Sequence, residues 1–498
     1  IHLEGGSFEH AGLTLNRFCM SQKSFNYYVA KHFNGFSYVA FRLTMILSRL
    51  SLFFTTNWSW KSKCKAYWLC LNNSKKILVL AYALSPYKGS EFAVAWNYVT
   101  NMSKDNCLTV LYGTSDNHMG EFQSMEKFLK SHHLENVNFI PIKTDWLANV
   151  LNWPNRKGFF VYTFYYAYQR WQWLAYLQAK ELMAKEHFDL IHFVGMIGYR
   201  EPGYLWKLCL PYIWGPICGA NNAPQVLMKN MPLLGRIKQS FRSLANTYQL
   251  HHSKRLEQAL AATDILLTAT SENQRIFKQV YGKDSICIPE NCINGEIKLD
   301  DSKFDNPKKY HLVFVGRIDA GKSLQILLEA VIGLKHIDQV HLDLVGDGQL
   351  RKSLQQFAHE NGMDEVITWY GQLPRIDAVK LFNSAHLHCI TSVSEGNPTT
   401  IWEAMSYGVP TLSFDHCGMH DTIDDESGIR VPILDTYEKC VEGVTNAIDG
   451  LLEHPEKFEE LAKGTIKRAQ LYTWKERRAF WNHLYGELLE KKQNSNER

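Results

Sequence analysis

Apolar runs of strand length recur along this chain, each followed by a loop and a helix-length segment, and no other feature restricts its fold as much. Residues 76–82 read KILVLAY, end in a Pro- and Gly-containing loop at 85–90, and lead into a helix-like stretch from Glu91. Runs that are apolar almost throughout fit strands covered on both faces, and strands alternating with helices imply a parallel sheet. Further runs follow at 107–112, 137–142, 190–194, 212–214, 265–267 and 286–288. After the polar stretch 294–309 a denser series begins, at 311–315, 341–345, 366–370, 387–391 and 409–414. The two series predict two doubly wound α/β domains with a boundary between residues 290 and 308. In such sheets ligands bind beyond the carboxyl ends of the strands, so chemistry is sought in the loops that follow these runs.

The 498 residues suffice for two or three domains, and 45% hydrophobic with 21% charged residues excludes disorder as the main architecture. With 54 Lys+Arg against 50 Asp+Glu the net charge is only +4, which gives no electrostatic case for a nucleic-acid partner. The 11 cysteines are scattered, with no C-x-x-C pair, and fit a reducing cytosol better than a disulfide framework or a zinc ribbon. No run of 18 apolar residues exists, and residues 1–20 lack the basic start and apolar core of a secretory leader.

Charge is unevenly distributed. Residues 10–90 contain no Asp or Glu, while Lys and Arg recur there among many aromatics, including Phe53, Phe54, Trp58 and Trp60. That composition suits a segment lying on an anionic bilayer, although Ile46 and Phe53 share a helical face with Arg42 and Arg49, as a solvated extension would allow. Residues 159–176 hold ten aromatics, too many for one buried helical stripe. Residues 234–260 carry Arg236, Lys238, Arg242, Lys254 and Arg255 on an expected helix that suits either anionic lipid or plain solvation.

Three motifs compete for the chemistry. Residues 316–323, GRIDAGKS, match the P-loop pattern between a strand and a helix, yet the next strand run does not end in a clean magnesium-binding Asp. Gly346-Asp347-Gly348 opens a dinucleotide fingerprint, but Arg351 stands where its third glycine belongs. Residues 392–410, SVSEGNPTTIWEAMSYGVP, place Glu395 and Glu403 with seven residues between them, and a loop leads into a helix whose first N–H groups face that loop. This E-x7-E region resembles the retaining GT-B glycosyltransferases known as glycosyl transferases group 1. The likeness runs from about residue 75 to 474, through SPYKGSE, WGP at 214–216, VGRIDAGKS, LVGDG and SGIRVP at 427–432.

The resemblance implies two Rossmann-like domains facing across a cleft, an α/β GT-B fold behind a basic aromatic N-terminal extension. The divisions expected are 1–74 for the extension, 75–295 for the acceptor domain, 296–464 for the nucleotide-sugar domain and 465–498 for a helix crossing back to the acceptor domain. It implies that Arg317 and Lys322, with Gly316 beside them, hold the donor diphosphate, and that Thr399 and Thr400 add helix-end N–H groups. Glu403 would take the ribose hydroxyls, and Glu395 with the backbone of Gly396, Asn397 and Pro398 would position the transferred sugar. Ser323 departs from the family, which usually has glycine after the lysine. His192 is either a catalytic group or an inward-facing strand histidine, because Val194 occupies the position where the family's second histidine lies near the reacting hydroxyl. Gly89 would let acceptor and diphosphate approach backbone N–H groups.

The function expected is retaining, metal-independent hexosyl transfer from a nucleotide-diphosphate sugar to a lipid-linked or envelope glycan acceptor. No cofactor, no metal and no nucleic acid are expected, and the location is cytoplasmic, peripheral on the inner face of the membrane. A P-loop NTPase and a catalytically silent GT-B partner subunit are the alternatives.

Overall fold

A computed structural model describes residues 74–89 and 91–496, with four isolated positions, Thr44, Leu47, Trp60 and Lys63, before them. The expectations for the N-terminal extension therefore lie outside the described residues.

The first sheet is built from β1 (Lys76–Ala81), β2 (Cys107–Tyr112), β3 (Val137–Pro141), β4 (Leu190–Gly195), β5 (Tyr212–Ile217), β6 (Ile265–Thr268) and β7 (Ser285–Cys287). All pairings are parallel, in the order β3-β2-β1-β4-β5-β6-β7. The second sheet contains β8 (Tyr310–Val315), β9 (Val340–Val345), β10 (Ile367–Gly371), β11 (Leu387–Ile390), β12 (Thr411–Phe414) and β13 (Gly428–Val431). It too is parallel, in the order β10-β9-β8-β11-β12-β13. In both sheets the order reverses beside the first strand, between β1 and β4 and between β8 and β11, which is the doubly wound Rossmann arrangement and fixes where a ligand crevice opens. Strand β13 has no counterpart among the apolar runs. It is four residues long at the sheet edge, and half-exposed Ile429 and Arg430 interrupt any apolar pattern.

The aromatic stretch divides by depth. Tyr168 and Trp171 of the helix Thr163–Lys185 are buried against Tyr82 at 4.8 and 4.9 Å between ring centroids. Phe159, Phe160 and Tyr166 face outward. The basic segment forms two helices, Leu233–His252 and Lys254–Ala262, broken at Ser253, whose hydroxyl accepts the Leu256 N–H and caps the second.

The chain ends in the helix Trp474–Asn496, which packs Trp481, Leu484, Tyr485 and Leu488 into the core of the first sheet beside Val79, Tyr98 and Leu190. Segment 225–228 makes the reverse crossing. Leu227 and Met228 are buried in the core of the second sheet, and Lys229 pairs with Glu438.

Candidate functional site

At the second switch point the loop after β8 is residues 316–323. Much of its backbone is already committed: Gly316 N–H donates to Val345 O and Ile318 N–H to Asp347 O, both at 3.0 Å. The Asp319 carboxylate accepts the N–H groups of Gly321 and Lys322 at 3.0 and 3.1 Å. A P-loop turns such amides toward phosphate, whereas here a carboxylate of the loop itself takes two of them, so the P-loop expectation fails on geometry. Gly346 and Gly348 are packing glycines. A Cβ on Gly346 would lie 1.8 Å from Gly316 O, and one on Gly348 2.3 Å from Ile318 O. Ser323 sits at φ +45°, in the left-handed region. That conformation is the physical reason a glycine suits this position.

Side chains of this loop meet the E-x7-E segment. Lys322 Nζ is ion-paired with Glu395 Oε1, both largely shielded from solvent. Arg317 is 81% exposed and pairs with Asp319 at 3.1 Å. Val393 N–H donates to Gly321 O at 2.9 Å and the Thr391 hydroxyl donates to Ser323 O at 3.0 Å, fastening the two loops together. Pro398 opens the helix Thr399–Ser406 without a side-chain cap, leaving first-turn N–H groups for an incoming ligand. Glu403, one turn along, accepts from Arg375 Nε at 2.6 Å, and burial raises its pKa against the pull of Arg375. Each carboxylate of the pair thus carries a cation. Thr399, Trp402, Glu403 and Arg375 line a cavity of about 670 Å³ whose other wall includes Asn97 of the first domain and Asn294 of the linker.

The Asn397 side chain is engaged internally. Its Oδ1 accepts from Trp402 Nε1, and its Nδ2 donates to the Thr422 hydroxyl at 3.0 Å. Gly396 lies where the first domain closes over the loop, since a Cβ there would meet Cys218 Sγ at 3.2 Å and Glu290 Oε1 at 3.4 Å. Gly89 follows β1, and a Cβ added to it would meet nothing within 4 Å.

His192 is the inward-facing alternative, and its catalytic assignment is corrected. The ring is fully buried on β4, with Nε2 donating to Gly215 O at 2.9 Å. That donation leaves Nδ1 as the acceptor, 2.7 Å from the Tyr485 hydroxyl and 3.0 Å from that of Tyr98. Burial lowers its pKa to about 4. A neutral ring bonded on both nitrogens joins the terminal helix to the first sheet and has no free edge for an acceptor.

Glu290 escaped the sequence reading. It is 6% exposed, beside Gly396, and its Oε2 has no hydrogen-bond partner. Burial pushes its pKa to about 8, with buried Arg477 opposing and Glu91 and Glu395 assisting. Arg477 grips the backbone on both sides through Pro289 O and Asn291 O, and Asn291 Nδ2 reaches Asn397 O at 3.3 Å. Arg375 was missed as well. Neither residue belongs to a spaced motif, and the only sequence signal was an acid set among apolar neighbours directly after a strand.

Residues 296–468 match the model of the family described as Glycosyl transferases group 1. The match falls on the C-terminal domain, which is similar to the glycosyl transferases group 1. An uncharacterized glycosyltransferase of Haemophilus influenzae is 22% identical over 209 residues, 41% of this chain and 56% of that one. The lipopolysaccharide 1,6-galactosyltransferase of Escherichia coli K12 is 28% identical over 179 residues, 34% of this chain and 47% of its own. The chain spans about half the length of the curated relatives it matches. Among solved structures, sucrose-phosphate synthase from Thermosynechococcus elongatus superposes with a TM-score of 0.58 at 16% identity, covering 84% of this chain and all of that one. The Anabaena protein HepE in complex with UDP and glucose gives 0.54 at 16% identity, over 83% and 100%. The fold is GT-B, two Rossmann-like domains facing across a cleft. Among the described residues no helix is long and apolar enough to cross a membrane.

Proposed function

We propose that this protein is a retaining glycosyltransferase that moves a hexosyl group from a nucleotide-diphosphate sugar to a hydroxyl of a lipid-linked or envelope glycan precursor, at the cytoplasmic face of the membrane. The observation that carries the reading is the pairing of Lys322 with Glu395 and of Arg375 with Glu403 around the start of the helix Thr399–Ser406. As the bond from the sugar C1 to the diphosphate breaks, negative charge builds on the leaving oxygens. Arg317, Lys322 and the helix-end N–H groups of Thr399 and Thr400 are the fixed positive groups that meet it. The acceptor oxygen bonds to C1 on the face that the diphosphate leaves, and its proton departs with the diphosphate. Glu403 takes the ribose hydroxyls in exchange for Arg375, and Glu395 with the backbone of residues 396–398 orients the sugar. The charges on the leaving group are met by protein cations, so no metal or cofactor enters this reading.

Relatives that act on lipopolysaccharide, and the UDP and glucose bound by HepE, support the donor and acceptor classes. The test is the anomeric configuration of the product, read by NMR from a panel of nucleotide sugars with extracted lipid acceptors in the presence of chelator. An α-linked product from an α-donor is expected. A β-linked product, or activity abolished by chelator, contradicts the proposal.

A further inference from the structure

In the helix Leu233–His252, Leu234, Ile237, Phe241, Leu244 and Tyr248 follow each other at spacings of three and four, so they share one face. A surface helix normally turns such a stripe to the core. Here all five side chains are exposed, Leu234 to 83%, and only Asn246 and Leu250 on the other side are buried. The apolar surface continues beyond the helix. The Tyr162 ring lies 6.0 Å from that of Phe241, Phe159 is 75% exposed with Phe160 and Val161 exposed beside it, and exposed Trp153 stands 6.1 Å from Phe159. An apolar surface this continuous marks an interaction site.

Charge selects the partner. No Asp or Glu occurs in residues 146–180 or in residues 202–256, which supply the whole patch. Exposed Arg236, Lys238 and Arg242 flank the stripe, and none of them is ion-paired with a described residue; Lys157 stands at the foot of the 159–161 tip beside Arg156, which pairs with Glu121 at 3.8 Å. Two copies of this helix laid face to face would set cations against cations with no carboxylate between them. A lipid surface bearing phosphates meets both the stripe and its cations.

We propose that this face docks on an anionic bilayer, with the 159–161 tip and the Leu234–Tyr248 stripe at the headgroup boundary and Arg236, Lys238 and Arg242 against lipid phosphates. The same helix reaches the cleft, because a Cβ on Gly235 would lie 3.2 Å from the Ala320 Cβ in the loop that carries Lys322. A lipid-held acceptor would then be delivered beside the donor loop. That consequence rests on the glycosyltransferase reading, whereas the docking itself does not.

The test is co-sedimentation of the full chain with vesicles of phosphatidylcholine alone and of phosphatidylcholine mixed with phosphatidylglycerol. Binding to the mixed vesicles, weakened by salt, is expected. Phe241→Ser with Leu244→Ser, and separately Arg236→Glu with Lys238→Glu, should each lower the partition about tenfold or more. These positions are exposed, so the variants keep the fold, and nucleoside-diphosphate binding on the same samples should match the parent. Undiminished binding by both variants would place attachment elsewhere, residues 1–73 included, and overturn the proposal. Equal binding to neutral vesicles would also overturn it, as would a chain that binds no vesicle, whether it sediments as a monomer or as a dimer. Failure of the parent to bind any nucleoside diphosphate would defeat the transferase reading and leave the docking result standing.

Discussion

Lys322 and Arg317 belong to one loop but live in different surroundings, and their variants should separate accordingly. Removing either cation is expected to cost about 2 to 4 kcal/mol in transition-state stabilisation, measured as kcat/KM for the donor. Arg317→Ala should leave thermal stability unchanged, because the side chain is exposed. Lys322→Ala should lower the Tm somewhat, because it strands the shielded Glu395 carboxylate. Near-full activity in both variants would remove them from the site. Glu290 offers a sharper reading through pH. Its carboxyl is raised from the ordinary 4.5 to about 8, so the unfolded chain ionises first, and the resulting loss of stability grows from pH 4.5 and is complete above 8. Glu290→Gln removes that loss. The variant should exceed the parent by on the order of 2 to 4 kcal/mol at pH 8.5 and by little at pH 4, read from denaturant midpoints. A gap independent of pH would contradict the burial of this group. At this scale Glu395, Glu403 and Lys322 were legible because spacing and neighbours mark them. Arg375, Glu290 and the closure of His192 were not, because each depends on a partner far away in sequence.

Among the elements, twelve of the thirteen strands follow the apolar runs with small shifts at their ends; the inner strands, buried on both faces, leave the most continuous apolar signature, while the edge strands β3, β7 and β10 are part-exposed. β13 left none, being short, glycine-led and half-exposed. The helix Leu324–Ile332 begins at Ser323, whose φ of +45° is costly for a residue with a Cβ. Ser323→Gly is therefore expected to stabilise the protein by about 1 kcal/mol with donor kinetics preserved, seen as a higher denaturant midpoint at constant slope. Unchanged or reduced stability would mean that the Ser323 hydroxyl, which donates to Ala320 O at 3.3 Å, outweighs the backbone strain.

Across the whole molecule, two segments tie the halves together: residues 227–229 enter the second core and the helix Trp474–Asn496 enters the first. The sequence signalled the tail only through its aromatics, since the pairing of Tyr485 with His192 spans 293 residues. Trp481 is buried there to 2% exposure, so Trp481→Ala should cost about 3 to 5 kcal/mol and expose the first sheet to limited proteolysis before the second. Simultaneous cleavage of both halves would show that the terminal helix does not brace the first one selectively.

Binding of a nucleoside diphosphate by the Glu395–Glu403 segment is measured by titration calorimetry with UDP, GDP, ADP and TDP in chelator. At least one of these is expected to bind the parent protein, and to bind Glu403→Ala and Lys322→Ala about tenfold or more weakly, as the loss of hydrogen bonds to charged groups requires. Absence of binding by every nucleoside diphosphate, or binding that both variants leave unchanged, would contradict it.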